Sequence, residues 1–325
     1  MTLVDSRTIH MKQFLATYFG GEDYSIEAMR GDAGQRKYYR ALHQDQSYVV
    51  MDCQDSSVQP FIAMAIYLTD QGFSAPQILH QDVVNGFLLL EDFGTVSVTN
   101  YLLSDVKDEN VRKDIYYLAM DLLVSLQDKK VPENLIEFDN DLLLSELKLF
   151  TDYYIPYAYK RELSAEEIDE FKEIWRNILL KQAPMPSSVI LRDYHVDNMM
   201  YLKNNESIQK LGLLDFQDAL SGSPIYDVVS ILEDARIKVS RLEALGCVEY
   251  FAKKKKMDIE AVLLNYHILG AQRNSRILGV FARKAIRDGD DGYLQFMPRV
   301  LEYLKYDLSH DALSSLNEWL DRKFA

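Results

Sequence analysis

Residues 189–219 constrain this chain more than any other stretch. They read VILRDYHVDNMMYL, then a polar turn KNNES, then IQKLGLLDFQDA. One apolar strand runs into Arg192-Asp193, and Asn198 follows five residues after Asp193. A second apolar strand, across the turn, ends in Asp215-Phe216. The pattern predicts a strand, a polar loop and a β-hairpin that present two carboxylates and one amide. A loop Asp, an Asn five residues on and a strand-end Asp are the side chains that phosphoryl transfer uses. Asp193 is the candidate hydroxyl-orienting base, and Asn198 and Asp215 are candidate oxygen ligands for Mg²⁺. The plainer alternative is a solvated turn at 193–198 and a helix N-cap at Asp215.

The 325 residues suffice for one large domain or two lobes. A hydrophobic share of 48% is ample for a core. The formal charge of −14 argues against nucleic acid or an anionic membrane as partner. It does not exclude ATP, since Mg²⁺ and a local basic cluster offset phosphate charge. Cys53 and Cys247 fit neither a CxxC nor a metal-ligand pattern, so a reduced, cytoplasmic protein is expected. Charges and His interrupt residues 1–19 where a signal peptide needs an apolar core, and no run reaches the ~20 residues of a membrane span.

Periodicity predicts a helix at 7–20, strands at 24–30, 38–43 and 48–52, a helix at 60–70, and strands at 78–81 and 86–91. Three-to-four spacing then predicts helices over 111–127, 140–158 and 165–181, with further helix from 225 onward. The expected fold is α+β, a bilobal protein-kinase-like architecture. Residues 1–94 form a small antiparallel β-sheet lobe that binds nucleotide, and 95–325 a large helical lobe for catalysis and substrate.

Other motifs add candidates. Gly31, Asp32, Ala33, Gly34, Gln35 and Arg36 sit between two expected strands, either as a phosphate-covering flap or as an ordinary hairpin turn. No GxxxxGK[ST] loop occurs. Glu91, Asp92 and Phe93 end a strand where backbone groups could meet an adenine. His195 reads as a loop imidazole bracing its neighbours rather than a metal ligand, because no second ligand has suitable spacing. Asp227 reads as a cap or a brace for the 191–198 loop. Residues 272–287 carry Arg273, Arg276, Arg283, Lys284 and Arg287, either a solvated face or an anion contact.

On these residues the chain resembles the aminoglycoside phosphotransferase superfamily, which also holds choline kinase-like and sugar kinase enzymes. Its loop reads roughly H-G-D-x-H-x-x-N. Asp193, His195 and Asn198 match, while Leu191 and Arg192 replace the leading His and Gly. The most similar subgroup is the anomeric amino-sugar kinases of bacterial cell-wall recycling, which phosphorylate the C1 hydroxyl of N-acetylmuramate and N-acetylglucosamine. GDAGQRKYYR (31–40), GFLLLEDFG (86–94), LRDYHVDNMM (191–200) and LGLLDFQDALSGSPIYDVVSILEDAR (211–236) carry the resemblance. It implies ATP and Mg²⁺ as cofactors and a small hydroxyl substrate, with an amino sugar foremost. Asp218, Asp234, Arg236 and Arg273 are candidates for the substrate wall. Two other readings stay open: an aminoglycoside- or choline-type kinase, and a nucleotide-binding pseudokinase. The last is motivated by a departure. Most members carry a Lys on the third strand, paired to a Glu on the next helix. Here that strand reads YVVMD, with Met51 near the place, and residues 60–70 hold no Glu. Arg36, Lys37 and Arg40 are the cations nearby that could serve instead.

Overall fold

Short runs rich in Tyr, Val and Leu dominate the first ninety residues, and such runs pair rather than coil. A computed structural model describes residues 6–29, 36–55, 57–104 and 109–324. Along the chain lie α1 (Ser6–Phe19), β1 (Ser25–Ala28), β2 (Lys37–His43), β3 (Gln46–Asp52) and α2 (Val58–Asp70). Next come β4 (Ile78–Asp82), β5 (Phe87–Glu91), α3 (Val98–Leu103), α4 (Glu109–Gln127), α5 (Asn140–Glu146), α6 (Ile155–Tyr159) and α7 (Ala165–Leu179). Then β6 (Ser188–Ile190), β7 (Met199–Tyr201), β8 (Leu211–Leu213) and β9 (Leu220–Gly222) precede α8 (Ile225–Leu232), α9 (Arg241–Lys255), α10 (Ile259–Arg283), α11 (Met297–Asp307) and α12 (Ser314–Phe324). The expected small antiparallel sheet followed by a helical majority is present.

Contacts group the chain into two compact units, one of 1–105 with 197–219 and one of 106–196 with 220–325. The first is built on a five-stranded sheet in the order β1-β2-β3-β5-β4, every neighbouring pair antiparallel. Gln44 and Asp45, at φ 49° and 63°, close the β2–β3 hairpin. Two left-handed residues give a turn whose twist matches that of the strands. Gly86, at φ 73°, turns β4 into β5, and a Cβ there would lie 1.8 Å from the Cys53 carbonyl oxygen. Met11, Phe14 and Leu15 of α1 pack with Val50, Phe87 and Leu89. Met51 points to the other side by strand alternation and is also fully buried. The β7–β8 hairpin joins this unit through Tyr201 N–H to Val96 O at 2.8 Å and Leu213 N–H to Ser74 O at 2.7 Å. Phe61 of α2 stacks on Phe216 at 5.0 Å.

In the second unit β6 pairs antiparallel with β9. Every residue of α8 is buried, as its nearly all-apolar sequence requires. α7 and α9 each open on a capping box, Ser164 with Glu167 and Ser240 with Glu243. The helix expected over 140–158 is instead broken into α5, a π turn at Phe150–Tyr154, and α6. Pro156 has no N–H to continue the ladder. Gly279 of α10 also presses so close to Leu149 that an added Cβ would meet its carbonyl carbon at 2.3 Å.

A buried polar cluster ties α8 to α10 and α11. Asn274 Nδ2 donates to Glu233 Oε2 at 2.6 Å and to Asp307 Oδ2 at 3.0 Å. His267 Nδ1 lies 3.2 Å from Asp307 Oδ1, and Arg241 lies 3.9 Å from Glu233. Burial and the charge of Asp307 push the Glu233 carboxyl up to about 8. Burial raises Asp307 as well. The folded chain therefore holds a proton that the unfolded chain releases near pH 4.5. Stability from this cluster is full below that value and is lost as pH rises toward 8. Glu233→Gln, which carries no ionisable group, is expected to match the wild type near pH 4 and to exceed it by several kcal/mol at pH 9. Urea titrations at the two pH values check this, and parallel behaviour of the two proteins would remove Glu233 as the source.

Candidate active site

β6 carries the chain into a loop whose shape is dictated by its backbone partners. Arg192 sits at φ 65°, a left-handed conformation that disfavours a residue with a Cβ. It is held from two sides. Asp227 Oδ2 accepts the Leu191 N–H at 2.7 Å, and Asp227 Oδ1 accepts the Arg192 N–H at 3.0 Å. Ser230 Oγ donates to the Arg192 carbonyl at 3.2 Å, and Arg273 Nη2 donates to Ser230 Oγ at 2.9 Å. Further on, Asp234 Oδ2 accepts the Val196 N–H at 3.3 Å. Residues 227, 230 and 234 recur at three- and four-residue spacing, so one stripe of α8 and its exit grips the loop backbone.

Within the loop, the Asp193 N–H bonds the Leu191 carbonyl at 2.8 Å and the His195 N–H bonds the Asp193 carbonyl at 3.1 Å. These tight turns present a half-buried Asp193. Tyr194 points inward and donates to the Ala119 carbonyl at 2.8 Å. His195 is buried. Burial, with Arg236 and Arg273 nearby, holds its pKa well below the ordinary imidazole value, so the ring is neutral. Burial pushes the Asp227 carboxyl up to about 7, even though two backbone N–H groups favour its ionised form. Arg192 reaches Glu146, whose other oxygen lies 3.2 Å from Arg276 Nε. Glu146 was not a candidate site residue. Glu146 lies 46 residues from Arg192 in a helix with no local signal, and only the basic run 272–287 hinted at Arg276.

The other part of the motif belongs to the first unit. The Leu214 N–H donates to the Asn198 carbonyl at 2.9 Å, so β7 and β8 hold both ends of the hairpin together. Asp215 follows at φ 56°, again left-handed. Its Oδ1 lies 3.0 Å from Arg36 Nη2 and accepts from Gln217 Nε2 at 3.1 Å. Gln217 Nε2 also donates to Asp218 at 2.8 Å. An amide oxygen at Asn198 and a carboxylate at Asp215 are hard donors. Among the described residues no three His, Cys, Asp or Glu side chains converge on a metal position. Two oxygen ligands fit Mg²⁺, which keeps waters and phosphate oxygens for the rest of its octahedron. The buried Arg36 Nη1, without a hydrogen-bond partner among the described residues, fits a phosphate group.

The remaining candidates fall in different settings. Gly31, Asp32, Ala33, Gly34 and Gln35 lie outside the described residues. The Glu91 N–H is taken by the Gln77 carbonyl at 2.9 Å. The Asp92 carboxylate is occupied by Arg40 at 2.7 Å, by Ser47 and by the Gly94 N–H. The Phe93 ring packs where a Cβ on Gly212 would sit. Asp218 is exposed. Asp234 is buried and spent on the Val196 N–H, the Arg236 N–H and the Arg236 guanidinium. Arg273 is only 4% exposed and braces Ser230.

The sequence profile of the phosphotransferase enzyme family (APH) matches residues 25–253. The N-acetylmuramate/N-acetylglucosamine kinase of Caulobacter vibrioides is 32% identical, over 99% of this chain and 98% of its own. The enzyme of that name from Neisseria meningitidis is 31% identical over 92% and 90%. In fold, the chain is similar to ADP-bound aminoglycoside phosphotransferase APH(2'')-Ib, with TM-score 0.62 at 15% identity over 93% of this chain and 97% of that one. A choline/ethanolamine kinase family protein from Mesorhizobium loti gives 0.61 at 12% identity over 97% and 99%. With a kinase-type loop braced by α8, a hairpin ending in Asp215 and a profile match across most of its length, this chain belongs to the phosphotransferase enzyme family.

Proposed function

We propose that this chain phosphorylates the anomeric hydroxyl of N-acetylmuramate or N-acetylglucosamine, using Mg·ATP. The observation that carries the reading is the double clamp on the Leu191–Arg192 backbone, which fixes Asp193 at a defined place. The names of relatives about a third identical along nearly the whole chain support the sugar. Mg·ATP supplies the phosphoryl group and the cation that offsets its charge. Asp193 orients the sugar hydroxyl and takes its proton as the new O–P bond forms and the bond to the ADP oxygen breaks. Asn198 and Asp215 would hold Mg²⁺ through their side-chain oxygens. The buried, neutral His195 supports the loop and exchanges no proton with substrate. No helix of the described residues is long and apolar enough to cross a membrane. The two cysteines are free and buried, which supports a cytoplasmic setting.

The test is Mg·ATP turnover on N-acetylmuramate, N-acetylglucosamine, choline and an aminoglycoside, with phosphorus NMR of the product. Turnover on the two sugars with an anomeric phosphate is the expected result. Turnover confined to a cationic acceptor would move the assignment to the choline or aminoglycoside type. Nucleotide binding with no turnover on any acceptor would favour a pseudokinase.

A further inference from the structure

We propose that Arg36 is the cation that grips the nucleotide phosphates in this site, in place of a lysine on β3. The inference rests on the reading that the site takes a nucleoside triphosphate. The β3 position is filled by Met51, which is apolar and fully buried. Three nearby cations could replace a lysine, and their surroundings separate them. Arg40 is committed. Its Nε and Nη2 meet the two Asp92 oxygens at 2.7 and 3.2 Å, and Nη2 also donates to the Gly94 carbonyl at 3.0 Å. Lys37 is exposed and stands opposite Asp52 in the β2–β3 register. Strand alternation turns it away from the face that holds its neighbours.

Arg36 is placed differently. It precedes Tyr38 by two residues, and Tyr38 stands directly opposite Met51 across the β2–β3 pair. Alternation therefore puts Arg36 on the Met51 face, one strand over. Its side chain is 19% exposed, and Nη2 lies 3.0 Å from Asp215 Oδ1. Nη1 is buried and has no hydrogen-bond partner among the described residues. A planar guanidinium that spends one nitrogen on a carboxylate and keeps another unmet is suited to a phosphate oxygen through a charge-assisted bond. The Arg36–Asp215 pair also explains how both groups stay balanced before nucleotide arrives. With nucleotide bound, Asp215 would hold the divalent cation and Arg36 the polyphosphate, so neither charge would be left unpaired.

Calorimetric titration of the full chain with Mg·ATP and, separately, adenosine tests this. Arg36→Met is expected to weaken Mg·ATP binding at least tenfold and leave adenosine within about twofold, with Lys37→Met unchanged for both. Arg36→Lys, which keeps the charge, is expected to recover most of the Mg·ATP affinity that Arg36→Gln loses. This second pair settles the matter if Arg36→Met does not fold. Unchanged Mg·ATP affinity in Arg36→Met, or an equal loss for ATP and adenosine, would overturn the role of Arg36. Failure of the wild type to bind Mg·ATP would instead remove the nucleotide reading itself.

Discussion

Asp193→Asn is expected to lower kcat by about 10²–10⁴-fold while leaving Mg·ATP affinity within about twofold. The amide has the size of the carboxylate but cannot take a proton at neutral pH. The substitution leaves in place the backbone bonds of this residue, its N–H to the Leu191 carbonyl and its C=O from the His195 N–H. Loss in kcat without loss of nucleotide binding therefore separates hydroxyl orientation from folding. A side effect has a definite sign. The charge of Asp193 is among the causes that hold Asp227 above the usual carboxylate range, so Asp193→Asn lowers the Asp227 pKa. Steady-state kinetics with a calorimetric control decides the matter, and a variant retaining near-normal kcat would remove Asp193 from the proton path.

Asp227→Ala is expected to cost roughly 2–5 kcal/mol of stability and to abolish most activity. It leaves the Leu191 and Arg192 N–H groups without their acceptor, and each such group costs about 1–3 kcal/mol. It also releases the segment that holds Arg192 in its left-handed conformation. Asp227→Asn keeps one acceptor oxygen and should fall between the two. The pH dependence has a worked sign. A carboxyl raised from 3.8 to about 7 favours the folded state below 3.8 and loses that contribution as pH rises through about 7. Asp227→Asn lacks this loss, so its deficit relative to wild type should shrink between pH 6 and pH 8. Chemical denaturation at both values measures it, and a constant deficit would mean that Asp227 does not titrate there.

Local features of this chain were legible because their physics is local. The LRDYHVDN loop, the β7–β8 hairpin and the strands of the sheet follow from alternation and turn residues within ten positions. What the sequence could not show depends on distant partners. Glu146 meets Arg192 and Arg276 only once α5, the 191–198 loop and α10 come together. Nor could it show that Asp234, just past α8, meets the Val196 N–H and that Arg273 of α10 meets Ser230. The helix expected at 140–158 failed for a reason partly visible in Pro156 and partly hidden in the close approach of Gly279. The missing β3 lysine was visible as an absence, and only the side-chain contacts of Arg36 and Arg40 separate the possible substitutes.

The interleaving of the two units has a consequence for how the chain is made. Ser74 emerges from the ribosome early, yet its hydroxyl bonds the Gln209 carbonyl, 135 residues later. Val96 likewise waits for Tyr201, and Phe61 for Phe216. The sheet unit is thus synthesised nearly whole and then stays unfinished while residues 106–196 are translated. During that interval the Phe61 face and the Ser74 and Val96 backbone groups lack their final partners, a period in which a nascent-chain chaperone has something to hold. For the same reason no single cut yields either unit, and any exchange of this sheet unit between relatives must move residues 197–219 with it.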